Sequence, residues 1–452
     1  MNRMASTANP VLVGLLLVAA GVPCAFAQEA PAKHDMSPEA RILPGPPAPD
    51  SFIPDHHYPD TYSAQDQLGI YANVADGGTG GKKQSQIAAR LNLDMDLALT
   101  ATERIHGATR PLDKGGKSFT RYDVSGAVKN KFTHSLDFDL DTLFFEGDLG
   151  QITGGLRGKP ARFDMPIAFG KLPFVAQNGV WFEDAFDGAA FSIAAKNIPK
   201  WDVSNTDLTF FGGWAQLTTD ATPGSSKTGV FGLAGFADAR KGYIEYGYGY
   251  VNADNSDLSY NNVTAAFTRR YFGRLANSVR VIGNFGQKGL STGKTADGVL
   301  FLVENSLTPK YLKLAQANQS NFVPYLNLFA GFKSPQSLAR GGDSGGVLRN
   351  TGITFESDGM TAYPTLDAKA HDTYGGALGL EYLFDLAHQI VVEGSVVQRR
   401  GDSKLPGNEY GIGVRYQQPI SPDLIIRFDA MKGFLQGQKD IYGVRAELRL
   451  KF

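Results

Sequence analysis

The strongest constraint on this chain is a two-residue alternation of apolar and polar side chains that recurs from about residue 65 to the end. Over 86–102 the odd positions read Ile87, Ala89, Leu91, Leu93, Met95, Leu97 and Leu99, while Gln86, Arg90, Asn92, Asp94, Asp96 and Thr100 hold even ones. A strand turns successive side chains to opposite faces, so one face of this segment is apolar and the other polar. The last segment repeats the pattern, with Tyr442, Val444, Ala446, Leu448, Leu450 and Phe452 set against Arg445, Glu447, Arg449 and Lys451. Leu136, Phe138 and Leu140 alternate with Ser135, Asp137, Asp139 and Asp141. Tyr374, Leu378, Leu380, Tyr382 and Phe384 form another apolar face, as do Tyr410, Ile412, Val414 and Tyr416.

Soluble sandwiches also alternate, so length and charge must decide. Several of these segments run 10 to 13 residues. Soluble strands cluster at about 5–6 residues, and strands that cross a bilayer need about 9–11. The polar faces are heavily charged. Connections also differ in length: 238–241, 271–277, 385–388 and 419–422 are short, whereas 170–186, 218–227 and 334–371 are longer. Short turns at one end and long loops at the other mark an outer-membrane barrel. In hydrocarbon every backbone amide needs a partner, so such a sheet must close on itself. The expectation is an all-β, closed antiparallel transmembrane β-barrel of about 18 strands, with sixteen left open. Counted back from the C-terminus, the segments are 440–452, 422–432, 408–418, 389–399, 372–384, 322–333, 298–307, 278–288, 258–270, 242–252, 228–237, 206–218, 187–197, 161–169, 134–146, 118–130, 84–102 and 65–75. A barrel of this size leaves room for an aqueous channel unless loops fill it.

Composition removes the alternatives. The 452 residues carry 44 Lys+Arg against 45 Asp+Glu, a net charge of −1, which lacks the basic footprint of a nucleic-acid binder. A single Cys excludes a disulfide scaffold and a Cys-ligated metal module. Residues 1–27 read as a signal peptide: Arg3, an apolar run over 11–20, then Ala25-Phe26-Ala27 as the cleavage site. Cys24 falls inside it. Residues 28–60 hold eight prolines and read as a periplasmic tail or linker, followed by the barrel over 61–452. His56 and His57 lie in that tail without the further ligands zinc needs.

Tyr442, Val444, Leu448, Leu450 and Phe452 together resemble the C-terminal strand of bacterial outer-membrane porins, whose terminal aromatic is read by the barrel-assembly machinery. A second segment, Phe169-Gly170-Lys171, then Trp181, then Phe186-Asp187-Gly188-Ala189, resembles the strand–loop–strand of alginate-export-like and related substrate-selective porins. In that family the pattern runs Gly-Arg-Gln, Trp, then Arg shortly before Phe-Asp-Gly. Here Lys171-Leu172 and Glu183-Asp184-Ala185 stand instead, so the arginines that suggest a polyanion are missing. The resemblance implies the architecture and not the ligand.

With apolar faces toward lipid, the charged faces line the lumen. Asp94, Asp96, Asp137, Asp139 and Asp141 belong to early strands, and Arg415, Arg427, Asp429, Arg445, Glu447 and Arg449 to late ones. First and last strands of a barrel are neighbours, so the two sets are expected to set up a transverse field or to neutralise each other along the wall. The segment 170–186, with Lys171, Trp181, Glu183 and Asp184, is the candidate for an inward-folded constriction loop. Arg269, Arg270, Arg274 and Arg280 surround a short turn and mark a basic rim or an anion-collecting vestibule.

Catalytic motifs do not hold together. Gly342-Asp343-Ser344-Gly345-Gly346 matches the nucleophile segment of chymotrypsin-like proteases, but no Ala-Ala-His-Cys segment accompanies it. Ser291-Thr292-Gly293-Lys294-Thr295 lacks the first glycine of a phosphate loop, Lys288 standing there. Asp137-x-Asp139-x-Asp141 has Thr142 where a calcium loop needs Gly. No catalysis and no cofactor or metal is expected. The function expected is passive diffusion of small hydrophilic solutes through a charged aqueous lumen, with a polysaccharide export pore or a non-conducting scaffold or surface-binding barrel as alternatives. The expected partners are outer-membrane lipid, the barrel-assembly machinery and the solutes; nucleic acid is excluded and a homotrimer is compatible.

Overall fold

Among the described residues the alternating segments become one sheet of 21 strands. In the computed structural model residues 67–452 are described except 77–82, 114–118, 127, 194–196, 224–226, 292, 309–320, 341–344, 358–362 and 385–386. The signal peptide, the Pro-rich tail with His56 and His57, and most of the protease-like segment therefore lie outside the described residues. The strands are β1 (Gln67–Asp76), β2 (Gln84–Ala98), β3 (Arg104–Thr109), β4 (Thr120–Ser125), β5 (Lys131–Thr133), β6 (Leu140–Asp148), β7 (Pro166–Ala176), β8 (Phe182–Ile193), β9 (Val203–Ala215), β10 (Gly229–Ala239) and β11 (Gly242–Asn252). They continue as β12 (Tyr260–Tyr271), β13 (Leu275–Phe285), β14 (Asp297–Leu307), β15 (Asn321–Ser334), β16 (Ala339–Arg340), β17 (Thr373–Leu383), β18 (Gln389–Arg399), β19 (Glu409–Ser421), β20 (Leu424–Leu435) and β21 (Ile441–Lys451). A short helix, α1 (Leu149–Arg157), follows β6 and is capped by the Asp148 carboxylate on Gln151 N.

Antiparallel pairing runs from β1 through β2, β3, β6 and onward to β15, then β17 to β21. It then returns to its start, because β21 pairs with β1: Gln67 stands opposite Asn92 on one side and Lys451 on the other. Pairing both edges of the first strand leaves the sheet without a free edge there.

The count of 21 corrects the expected 18, for a physical reason. β3 and β4 lie end to end along β2, whose residues 93–98 pair with β3 and 85–89 with β4. Between them the chain leaves the line at Pro111, which cannot donate to a ladder, and turns Asp113 inward onto Arg90 Nε at 2.7 Å. β5 and β6 are parted likewise by 134–139. The remaining piece, β16, is two residues paired in parallel with β8. The segment 104–109 was not among the expected strands, and 118–130 is the continuation of its line rather than a separate one.

The expected loop over 170–186 is also absent. β7 runs on to Ala176 and β8 begins at Phe182. Gln177, Asn178 and Gly179 carry φ of 52°, 54° and 70°, a left-handed run that Asn and Gly accept at low cost. Residues 335–372, the longest connection, lie at the same end as this turn; the opposite end has short turns such as Arg240-Lys241 and Ser421 to Leu424, but it also carries the connection 149–165 with α1.

Alternation sorts the faces. On β19–β21, Ile412, Phe428, Val444 and Leu448 are exposed, while Arg415, Arg427, Asp429, Arg445 and Glu447 are buried inside the ring. The outward apolar set includes Tyr442 and Leu450, and Phe452 is exposed at the chain end.

Candidate functional site

Residues 335–372 leave β15, fold into the ring and touch both sides of it. On one wall Leu338 N donates to Trp181 O at 2.8 Å and β16 pairs with the start of β8. Trp181 is fully buried; its indole Nε1 donates to Asn262 Oδ1 on β12 at 2.8 Å. The wall is shaped to receive these groups: a Cβ on Gly247 would sit 2.3 Å from the Trp181 ring, and one on Gly249 would sit 2.5 Å from Leu338. Phe174, Phe182, Phe186 and Phe211 pack around them.

On the other wall the segment is latched to β18. The Glu393 carboxylate accepts from Ile353 N at 2.9 Å, Thr354 N at 2.9 Å and Thr354 Oγ1 at 2.8 Å, and from Tyr325 Oη at 2.5 Å. β8 and β18 are nine pairings apart in either direction round the ring, so the loop spans the interior from wall to wall.

Beyond the latch the loop meets the charges of β19–β21. Arg415 Nε lies 2.6 Å from Asp429 Oδ1, and Arg415 Nη1 lies 2.7 Å from Glu356 Oε2. Arg427 reaches Asp429 at 3.1 Å, Glu447 at 3.3 Å and Glu356 at 3.5 Å. Arg445 bonds Asp429 and stacks its guanidinium 4.7 Å from the Tyr363 ring, and Arg449 pairs with Glu447. Cross-strand register explains the order: Arg415 stands opposite Asp429, Asp429 opposite Arg445, and Arg427 opposite Glu447. Burial alone would raise the Glu356 carboxyl, but the Arg415 and Arg427 guanidiniums outweigh it and hold it below the usual carboxylate range. Four arginines face three acids, so the network keeps one positive charge in excess. All its members but Arg449 are buried, not wet as expected; Arg445 is 1% exposed.

The early acids are placed differently from the sequence reading. Asp94 and Asp96 lie on the inward face of β2, Asp96 exposed and Asp94 half-buried. Asp96 pairs with Arg104 at 2.9 Å and stands 3.6 Å from His106 Nδ1, whose Nε2 is 2.9 Å from Glu146. Asp137 and Asp139 lie in the connection before β6, not on a strand, and Asp139 N donates to Asp137 Oδ1. Asp141, on β6, pairs with Arg110 at 3.0 Å. Asp96 and Asp141 thus pair with local arginines.

The four constriction candidates are dispersed along a hairpin. Lys171 sits on β7, and its Nζ donates to Leu140 O at 2.6 Å. Glu183 pairs with Arg340 of β16 at 3.2 Å, and Asp184 accepts from Thr218 N. Trp181 packs in the interior core, Glu183 meets the segment 335–372 through Arg340, and that segment is the one that enters. Arg280 is a second correction: it is buried on β13 and paired with Glu304 at 2.9 Å, not at the rim. Glu356, Tyr363, Arg340 and Glu393 were not foreseen. Glu393 carried a signal, since Val391, Glu393 and Ser395 share one strand face; Glu356 and Tyr363 sit in irregular chain and Arg340 in a two-residue strand, with no period to read.

No protein-family model matches the chain, and no curated protein matches it by sequence. Solved structures do match in shape. OccK7 (OpdD) of Pseudomonas aeruginosa aligns with 11% identity and TM-score 0.54, covering 86% of this chain and 98% of that one. OpdK of the same organism, solved with vanillate, aligns with 12% identity and TM-score 0.53 over 86% and 97%. A BenF-like porin from Pseudomonas fluorescens Pf-5 gives 10% identity and TM-score 0.53 over 86% and 98%. The fold of this chain is porin-like.

Proposed function

We propose that the chain is a closed outer-membrane barrel that passes small hydrophilic solutes down their gradients through an interior narrowed by residues 335–372. One observation carries the reading: the ring is inverted relative to a soluble protein, with apolar faces outward and charged faces inward. Exposed aromatics support it by lying toward both ends, Trp201, Phe272, Phe384 and Phe452 near the short turns and Trp214, Phe231, Tyr374 and Tyr442 near the long loops. Ten residues separate Tyr442 from Phe452. At about 3.3 Å per residue and a tilt of about 40° they span about 25 Å, the height of a barrel's apolar band. Residues 1–27 supply export, and Phe452 is the signal for the assembly machinery. Selectivity then rests on the width left beside the loop and on the charges that face water.

The wall-to-wall loop favours a second reading, a barrel that does not conduct and acts as a scaffold or surface binder. Single-channel recording of residues 28–452 in a planar bilayer separates them. Stable current steps support diffusion. A folded, heat-modifiable barrel that never conducts would sink it.

A further inference from the structure

The short-turn end carries a basic cavity that conduction through the interior does not explain. Two neighbouring hairpins build it. Arg240 and Lys241 form the turn between β10 and β11, and Arg269 and Arg270 end β12 beside them, Gly242 standing opposite Arg269. These four, with Asp202, Ser204, Asp238, Tyr243 and Thr268, line a cavity of about 340 Å³. Four cations against two acids leave a surplus of two positive charges.

The turn chemistry is costly. Arg240 and Lys241 both have left-handed backbones, φ 56° and 61°, and Asp202 across the cavity has φ 58°. A two-residue hairpin turn of this kind favours Asn-Gly, because a Cβ is strained at positive φ. Here the turn places two like charges at those positions, beside two more on the next hairpin. Strain held where charge is concentrated points to a site rather than to packing. The surroundings suit an interface: Phe272 in the next turn is 91% exposed, and the Arg269 guanidinium stacks 5.1 Å from the Tyr271 ring.

We propose that this cavity binds a phosphate group, held by Arg240, Lys241, Arg269 and Arg270. Guanidinium forks match the paired oxygens of phosphate, and an ammonium adds a point charge. The group can reach the cavity from a soluble phosphate or from a phospholipid headgroup; only the second source rests on the membrane-barrel reading. Binding in detergent needs no conduction, so its failure is distinct from failure of the pore.

The test uses folded residues 28–452 in neutral detergent, with calorimetric titration of inorganic phosphate and, separately, of a short-chain phosphatidylglycerol, at constant ionic strength. The decisive variant is Arg240→Asn with Lys241→Gly, which removes two charges and gives the turn the residues its geometry favours, so folding is retained and checked by heat-modifiable mobility. Arg269→Gln is the second variant. We expect affinity to fall about tenfold or more in each. Phosphate binding that the variants weaken identifies a soluble ligand. Lipid binding that they weaken, without phosphate binding, identifies a headgroup site. Absence of both, or binding that the variants leave unchanged, overturns the proposal.

Discussion

A buried ion pair shows at the residue scale how this interior is held. Arg280 and Glu304 face each other on β13 and β14, 1% and 2% exposed at their side chains. Removing one partner strands a buried charge, so Arg280→Ala should cost about 3–5 kcal/mol, read as a lower denaturant midpoint. Replacing both with apolar residues, Arg280→Met with Glu304→Leu, should restore most of that stability, because neither charge is left alone. If the double variant is as weak as the single one, the pair is not the source of the loss. His371, at the return of the loop, makes a pH-dependent statement. Burial first, then Lys369 and Lys404, lowers its imidazole from 6.5 to about 4, against the opposing pull of Asp220 and Asp372. Its Nε2 lies 3.2 Å from Gln336 Nε2 and accepts from it when neutral. A depressed base binds fewer protons folded than unfolded. Its contribution is therefore complete above about pH 6.5 and is lost as pH falls toward 4. Hydrogen exchange across 335–372 should quicken over that window in the native chain, and His371→Gln should flatten the dependence.

Strands and loops differ at the element scale in how far sequence reveals them. β2, β17, β19, β20 and β21 were legible because a strand with one wet and one greasy face writes its own register at period two. The break between β3 and β4 was not, since both pieces share one neighbour and only three-dimensional pairing shows them collinear. The β7–β8 turn carried an Asn178-Gly179 signal that the length of 170–186 obscured. The path of 335–372 had no signal at all. Its anchors are distant partners, Trp181, Glu393, Arg415 and Arg445, reached by irregular backbone. That non-locality also gives the element its prediction. Replacing residues 341–362 with a short Gly-Ser linker deletes Glu356 and leaves the ring pairings intact, so conductance should rise severalfold in single-channel records. Unchanged conductance would mean that ions pass beside the loop, not through space that it fills.

Charge must be weighed at the scale of the whole molecule by where water meets it. The network of Arg415, Arg427, Arg445 and Arg449 with Glu356, Asp429 and Glu447 is dense but largely cancels, and most of it is buried. Asp94 and Asp96 are fewer but less buried, on the inward face of β2, with Arg104 beside Asp96. Ions screened over about 8 Å at physiological salt respond to the net charge near their path, not to the number of charged groups in the wall. In a tenfold salt gradient, Asp94→Asn with Asp96→Asn should therefore move the reversal potential toward anion selectivity by about 10 mV, against a limit of about 59 mV for a univalent ion. Glu356→Gln with Arg415→Gln removes one charge of each sign from the buried network and should leave the potential where it was. The opposite ranking, a large shift from the balanced pair and none from the two aspartates, would place the solute path along β19–β21 and make the buried arginines, not the acids of β2, the groups a passing ion meets.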